Sequence, residues 1–138
     1  MRIMALDVGT KRIGVAMSDE LMMTAQGSET IERRALKDDL DAINKLVEEM
    51  SVSEVVVGLP LNMNGSYSAK TKEVIEFMDS LSKAIAVPAK TWDERLTTVQ
   101  AERTLLEADV SRAKRKRLAD KLAAQIILQS YLDSRKVG

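Results

Sequence analysis

Residues 2–17 read RIMALDVGTKRIGVAM, and the interpretation of this stretch decides the fold. Two apolar runs, RIMAL and RIGVAM, flank Asp7-Val8-Gly9-Thr10-Lys11. Short runs rich in Ile, Val and Met suit strands, and Gly9 supplies the backbone freedom that a tight reversal needs. The chain therefore opens with a hairpin whose first strand closes on an acid, Asp7.

Working outward, QGSETIE (26–32) predicts a third strand. Leu36, Leu40, Ile43, Val47 and Met50 recur at the helical period, with charges on the opposite face. EVVVGLP (54–60) is a β-branched run ended by Gly58 and Pro60, the pattern of a strand buried on both faces in a partly parallel sheet. After the loop LNMNGSYS comes a helix carrying Val74, Phe77, Met78 and Leu81, and VPAKTW (87–92) predicts a fifth strand. Thr97, with Gln100 three residues on, has capping-box spacing and predicts a helix holding Val99, Leu105 and Leu106. A last helix runs from about residue 113 to 132. Three strands followed by alternating strand and helix give an α/β fold: a mixed five-stranded sheet, antiparallel first and then parallel, with helices on both faces. The 138 residues suit a single domain, 1–138.

Composition narrows the chemistry. There is no cysteine and no histidine, which excludes disulfide scaffolds, thiol catalysis, zinc–thiolate sites and imidazole bases. The apolar stretches fall well short of the ~18 residues of a membrane span, and Asp7 comes too early for a signal-peptide core. A cytoplasmic protein is the expectation. The 21 basic and 21 acidic residues cancel, yet five cations cluster in SRAKRKR (111–117). An enzyme of this composition must work through carboxylates, lysine or hydroxyls.

Three acids stand out: Asp7 at a strand end, Glu94 after the fifth strand, and Asp120 inside the last helix. At 100° per residue Asp120 shares a face with Ala124, Ile127 and Tyr131, where a carboxylate costs desolvation unless it is paired. Singly, each has an ordinary explanation. Asp120 could bridge to Arg117, Asp7 could form an Asx turn, and Glu94 could face a helix N-terminus. If they converge, three carboxylates repel one another unless divalent cations bind among them, and hard oxygen ligands suit Mg²⁺ or Mn²⁺. Two such ions can activate water and stabilise a leaving oxygen in phosphodiester cleavage, chemistry that needs neither cysteine nor histidine.

LDVGTKRIGVAMSD, VVVGLPLNMNG, WDERLTT and DKLAAQIILQSYL resemble, in order and spacing, the signature blocks of the YqgF/RuvX family. The resemblance spans residues 2 to about 133. It implies an RNase H-like fold of three layers and a metal-dependent nuclease acting on pre-16S rRNA or, in older usage, on Holliday junctions. By the same resemblance Asp7, Glu94 and Asp120 take the acidic catalytic and metal-binding positions.

Arg112, Lys114, Arg115, Lys116 and Arg117 begin the last helix, where cations oppose the helix dipole. A solvated helix start is one explanation. Phosphate contacts feeding a backbone towards the acids are the other, with Lys11, Arg12, Arg95, Asn62 and Asn64 as further contacts. The few aromatic residues argue for recognition of shape and backbone. The expected partner is structured RNA, or branched DNA, with the protein a monomer or weak homodimer. One rival is a lobe of an actin-like ATPase, for which the chain is too short. Another is a non-catalytic RNA-binding assembly factor.

Overall fold

The computed structural model describes residues 1–95 and 112–136, with side chains for 1–95 and 121–135. The expected helix at Thr97 lies outside the described residues. Strands β1 (Arg2–Val8), β2 (Arg12–Ser18), β3 (Ala25–Glu32), β4 (Val52–Leu59) and β5 (Ala89–Asp93) form one sheet in the order β3-β2-β1-β4-β5. The first three strands pair antiparallel, and β1–β4 and β4–β5 pair parallel. This is the expected mixed sheet. The reversal is tighter than its sequence suggests, because Asp7 and Val8 belong to β1, and Asp7 lies opposite Gly14. Gly9 N–H donates to the Arg12 carbonyl at 2.8 Å, and a Cβ on Gly9 would stand 2.7 Å from that oxygen. Only glycine fits there.

Helices α1 (Leu36–Glu49) and α2 (Ala69–Ala84) cover one face, and α3 (Arg112–Lys136) lies on the other. Because side chains alternate along a strand, β1 serves both layers. Met4, Leu6 and Val8 enter the α1/α2 core beside Ile43, Val47, Phe77 and Leu81. Ile3 and Ala5 meet Ala124, Ile127, Leu128 and Tyr131 of α3. Asp7 shares the parity of Ile3 and Ala5, so it stands on the α3 side. That interface combines the small residues Ala5, Ala16, Ala25 and Ala124 with Ile3, Val56, Ile127, Leu128, Tyr131 and Leu132.

Gln125 and Gln129, on the flank of α3, turn to the edge strand. Ala25 N–H donates to Gln129 Oε1 at 3.0 Å and Gly27 N–H to Gln125 Oε1 at 3.3 Å. These contacts cover donors that an edge strand would otherwise present to another chain. At the far end of α3, Glu54 collects the Tyr131 hydroxyl, Lys90 at 2.9 Å and Arg135 at 3.6 Å. Burial raises the Glu54 pKa, but the hydrogen bonds from Tyr131 and Lys90 outweigh it and hold this carboxyl below its ordinary range.

The hairpin turn is braced from the opposite layer. Arg33 donates to the Gly9 carbonyl at 3.0 Å and to Asp39 at 3.1 Å, and its guanidinium lies 5.4 Å from the Phe77 ring centre. Asp39 is 1% exposed and also accepts from Arg34 N–H at 2.9 Å. Removing one member of a buried ion pair leaves the other charge uncompensated. Arg33→Ala is therefore expected to cost roughly 2 kcal/mol or more in urea unfolding. A loss below about 0.5 kcal/mol, the range of an ordinary surface change, would contradict the bracing role.

Candidate active site

The site begins with a missing side chain. Gly58 lies on β4 between β1 and β5, and a Cβ there would collide with Glu94 Oε2 and stand 2.5 Å from Ile127 Cδ1. Glycine at this position opens a gap over the sheet, and the Glu94 side chain fills it from β5. The Glu94 N–H donates to the Leu59 carbonyl at 3.2 Å, extending the parallel ladder one residue past β5. Glu94 is 9% exposed and its Oε2 is fully buried. From the other side of β4, Asp7 reaches the same space.

Two carboxyls in one buried space cannot both ionise cheaply. Burial first, then the charge of Asp7 and a hydrogen bond with it, push the Glu94 carboxyl up to about 8, while Lys70 works in the opposite direction. Glu94 thus keeps its proton at neutral pH when no cation is bound. Lys70, on the first turn of α2, was not singled out from the sequence. Its helix start is fixed by a Ser68/Thr71 capping box and by the Thr71 hydroxyl donating to the Pro60 carbonyl. Gly58 was read as a strand terminator, yet it lies inside β4. An isolated glycine in a β-branched run was the available signal for a close approach.

The other candidate residues are distributed as follows. Position 120 falls on α3 one turn before Ala124, towards the end of the sheet where Asp7 and Glu94 meet. The side chains of Asp120, Arg112, Lys114, Arg115, Lys116 and Arg117 lie outside the described residues. Lys11 is exposed on the hairpin turn, and Arg12 pairs with Glu32 at 2.8 Å. Asn62 donates to Ser66 Oγ at 2.9 Å, and Asn64 Oδ1 accepts from Ser66 N–H at 3.0 Å, so both brace their own loop. Arg95 grips Asp93 at 2.6 Å and donates to the Met63 carbonyl at 3.3 Å. Of the three acids expected from the sequence, Asp7 and Glu94 are described and come together.

The fold matches known structures along nearly its whole length. It superposes on Thermus thermophilus RuvC, solved in complex with a Holliday junction substrate, with a TM-score of 0.62 at 16% identity, covering 99% of this chain and 96% of that one. Fowlpox virus resolvase, solved with Holliday junction DNA, gives 0.59 at 12% identity, covering 98% and 99%. The architecture is therefore the RNase H-like fold of the RuvC type. Residues 1–134 match the family described as "RuvX: Holliday junction resolvase", and the chain belongs to that family. Relatives named "Putative pre-16S rRNA nuclease" include one from Caldanaerobacter subterraneus subsp. tengcongensis, 55% identical over 99% of each chain. Another, from Halothermothrix orenii, is 54% identical over 96% of this chain and 95% of its own.

The raised Glu94 pKa has a measurable consequence. The folded state holds this proton to about pH 8, whereas an unfolded glutamate releases it near 4.5. The native protein therefore binds more protons between these values, and stability falls as pH rises through that window. Without divalent cations, the melting temperature should drop from pH 5 to pH 8. Glu94→Gln should flatten the profile and raise the melting temperature at pH 8 by about 4 °C or more. An unchanged slope in the variant would show that Glu94 does not carry the effect.

Proposed function

We propose that this protein is a divalent-metal-dependent nuclease that hydrolyses phosphodiester bonds in structured RNA, with the precursor of 16S rRNA as its substrate, acting as a monomer in the cytoplasm. The observation that carries this reading is the meeting of Asp7 and Glu94 over Gly58, where Glu94 is driven to hold a proton. A merely structural carboxyl pair of this kind would cost stability with nothing gained, which argues against a non-catalytic binding factor. A cation between the two acids would relieve their repulsion and take the place of the proton. Their hard oxygen donors fit Mg²⁺ or Mn²⁺.

When bound, the ions would supply the activation of a water molecule and the stabilisation of the leaving oxygen. The chain's own residues do the rest. Asp7 and Glu94 would hold the metal from strand positions fixed by backbone ladders, and Asp120 would complete the set from α3. Glu94 would give up its proton at the carboxyl as the cation enters. Arg112, Lys114, Arg115, Lys116 and Arg117, on the first turns of α3, would take backbone phosphates, assisted by Lys11 and Arg12. Their placement against the helix dipole is understandable if phosphates neutralise them.

A second reading, cleavage of four-way DNA junctions, is favoured by the description of the matched family. It requires a two-fold dimer to cut symmetrically. The names of the 54–55% identical relatives favour RNA. The decisive assay compares cleavage of a 16S rRNA precursor fragment and of a four-way junction in Mg²⁺ or Mn²⁺. Wild type should cleave the RNA, and Asp7→Asn should lose at least about 10²-fold in rate, the order expected when a preorganised electrostatic element is lost, while still binding RNA. Undiminished cleavage by the variant would sink the proposal, and preferential cutting of the junction would select the second reading.

A further inference from the structure

A cleft of about 480 Å³ opens beside the candidate site, lined by Met63, Trp92, Asp93, Arg95 and Ser130. Its volume lies within the ~300–1,000 Å³ of typical small-ligand pockets. Trp92 stands two residues before Glu94 and shares its side of the sheet, so about 7 Å of strand separates the two positions. The indole is fixed from two directions. Its Nε1–H donates to Ser130 Oγ at 3.2 Å, and the Tyr131 ring meets it edge-on at 5.3 Å and 80°. An aromatic ring held in this way loses little freedom when something packs against it.

The charges of the cleft cancel. Arg95 is committed to Asp93, at 2.6 and 2.8 Å, and to the Met63 carbonyl. The Arg95 hydrogen bond is the main cause holding the Asp93 carboxyl below its ordinary range, so Asp93 stays ionised. A phosphate entering here would meet that carboxylate and an already occupied guanidinium. A flat, uncharged group would meet an indole, a thioether and a neutralised ion pair. Met63 is 68% exposed on the loop between β4 and α2. It overhangs the same cleft that Trp92 lines.

We infer that this cleft is a subsite for one unpaired nucleobase, which packs against Trp92 and Met63 while the adjoining backbone runs past Glu94. The inference rests on the nuclease reading and deepens it. The substrate strand is single-stranded on at least one side of the cleaved bond, so the enzyme acts at a junction between paired and unpaired RNA. Phosphates go to the basic start of α3, and the base goes to the neutral cleft. The low aromatic content is consistent with one base position, in contrast to the row of stacking platforms found in general single-strand binders.

Trp92 is the only tryptophan in the chain, so its fluorescence reports on this cleft alone. An RNA hairpin with a short unpaired tail and the same hairpin with a blunt end are titrated in Ca²⁺, with binding followed in parallel by anisotropy of a dye on the loop. The tailed hairpin should quench Trp92 in a saturable way, whereas the blunt hairpin should bind without quenching. Met63→Ala should weaken the tailed hairpin several-fold, and Trp92→Leu about tenfold or more, in line with the contribution of a stacked base. Neither variant should alter binding of the blunt hairpin. Equal responses to both hairpins, or tailed RNA that binds with no change in Trp92 emission, would overturn the subsite. If the quench is absent while Asp7-dependent cleavage persists, the subsite fails and the nuclease reading stands. The reverse pattern leaves the subsite standing and removes the nuclease.

Discussion

Two carboxyls share one buried space over a glycine, and much of the molecule is arranged to keep them there. Glu94 can cross β4 only because Gly58 has no side chain. Asp7 can face it only because β1 runs between β2 and β4, with its alternate residues on the α3 side. The parallel order β1-β4-β5 puts the C-terminal ends of these strands side by side, and open α/β sheets commonly bind ligands at such ends. The arrangement costs stability when no cation is present, as the upward shift of Glu94 shows. Such local cost, carried by a stable scaffold, is characteristic of functional sites.

The two helical layers do different work. Ile43, Val47, Val74, Phe77 and Leu81 of the α1/α2 layer pack on the larger of the two core clusters, and Arg33, in the connection between β3 and α1, braces the Gly9 turn. Helix α3 buries Ala123 and Ala124 together with Ile127, Leu128, Tyr131 and Leu132. Its far end is held by Tyr131, Lys90 and Arg135 around Glu54 and by Trp92 against Ser130. Gln125 and Gln129 fasten its flank to β3. One helix therefore packs over Gly58, protects the sheet edge and forms a wall of the neighbouring cleft.

The fold was legible because its signals are local. Apolar runs broken by Gly-Thr-Lys and Gly-Leu-Pro mark strands, and Leu36, Leu40, Ile43 and Val47 mark a helix. Gly58 shows where local reasoning stops. A glycine after three valines looks like a strand terminator, and only the position of Glu94, 36 residues later, explains it. Asp39 lies in the first turn of α1, where Arg33 neutralises it in the core, and periodicity does not encode that pairing. Asp7 and Glu94 were picked out by composition and by resemblance to a family, and no local rule could show that they meet. Lys70, Trp92 and Met63 carried no pattern, because what they do depends on which strand ends lie together.

The central claim is that Asp7 and Glu94 form one divalent-cation site, and anomalous diffraction from crystals soaked in Mn²⁺ tests it most directly. The account predicts a peak between the two carboxyls, with oxygen ligands from both at about 2.1–2.2 Å, the range of hard divalent cations, and no such peak in Glu94→Gln crystals. A peak elsewhere, or a Glu94 that remains hydrogen-bonded to Asp7 in saturating Mn²⁺ at pH 8, would contradict it.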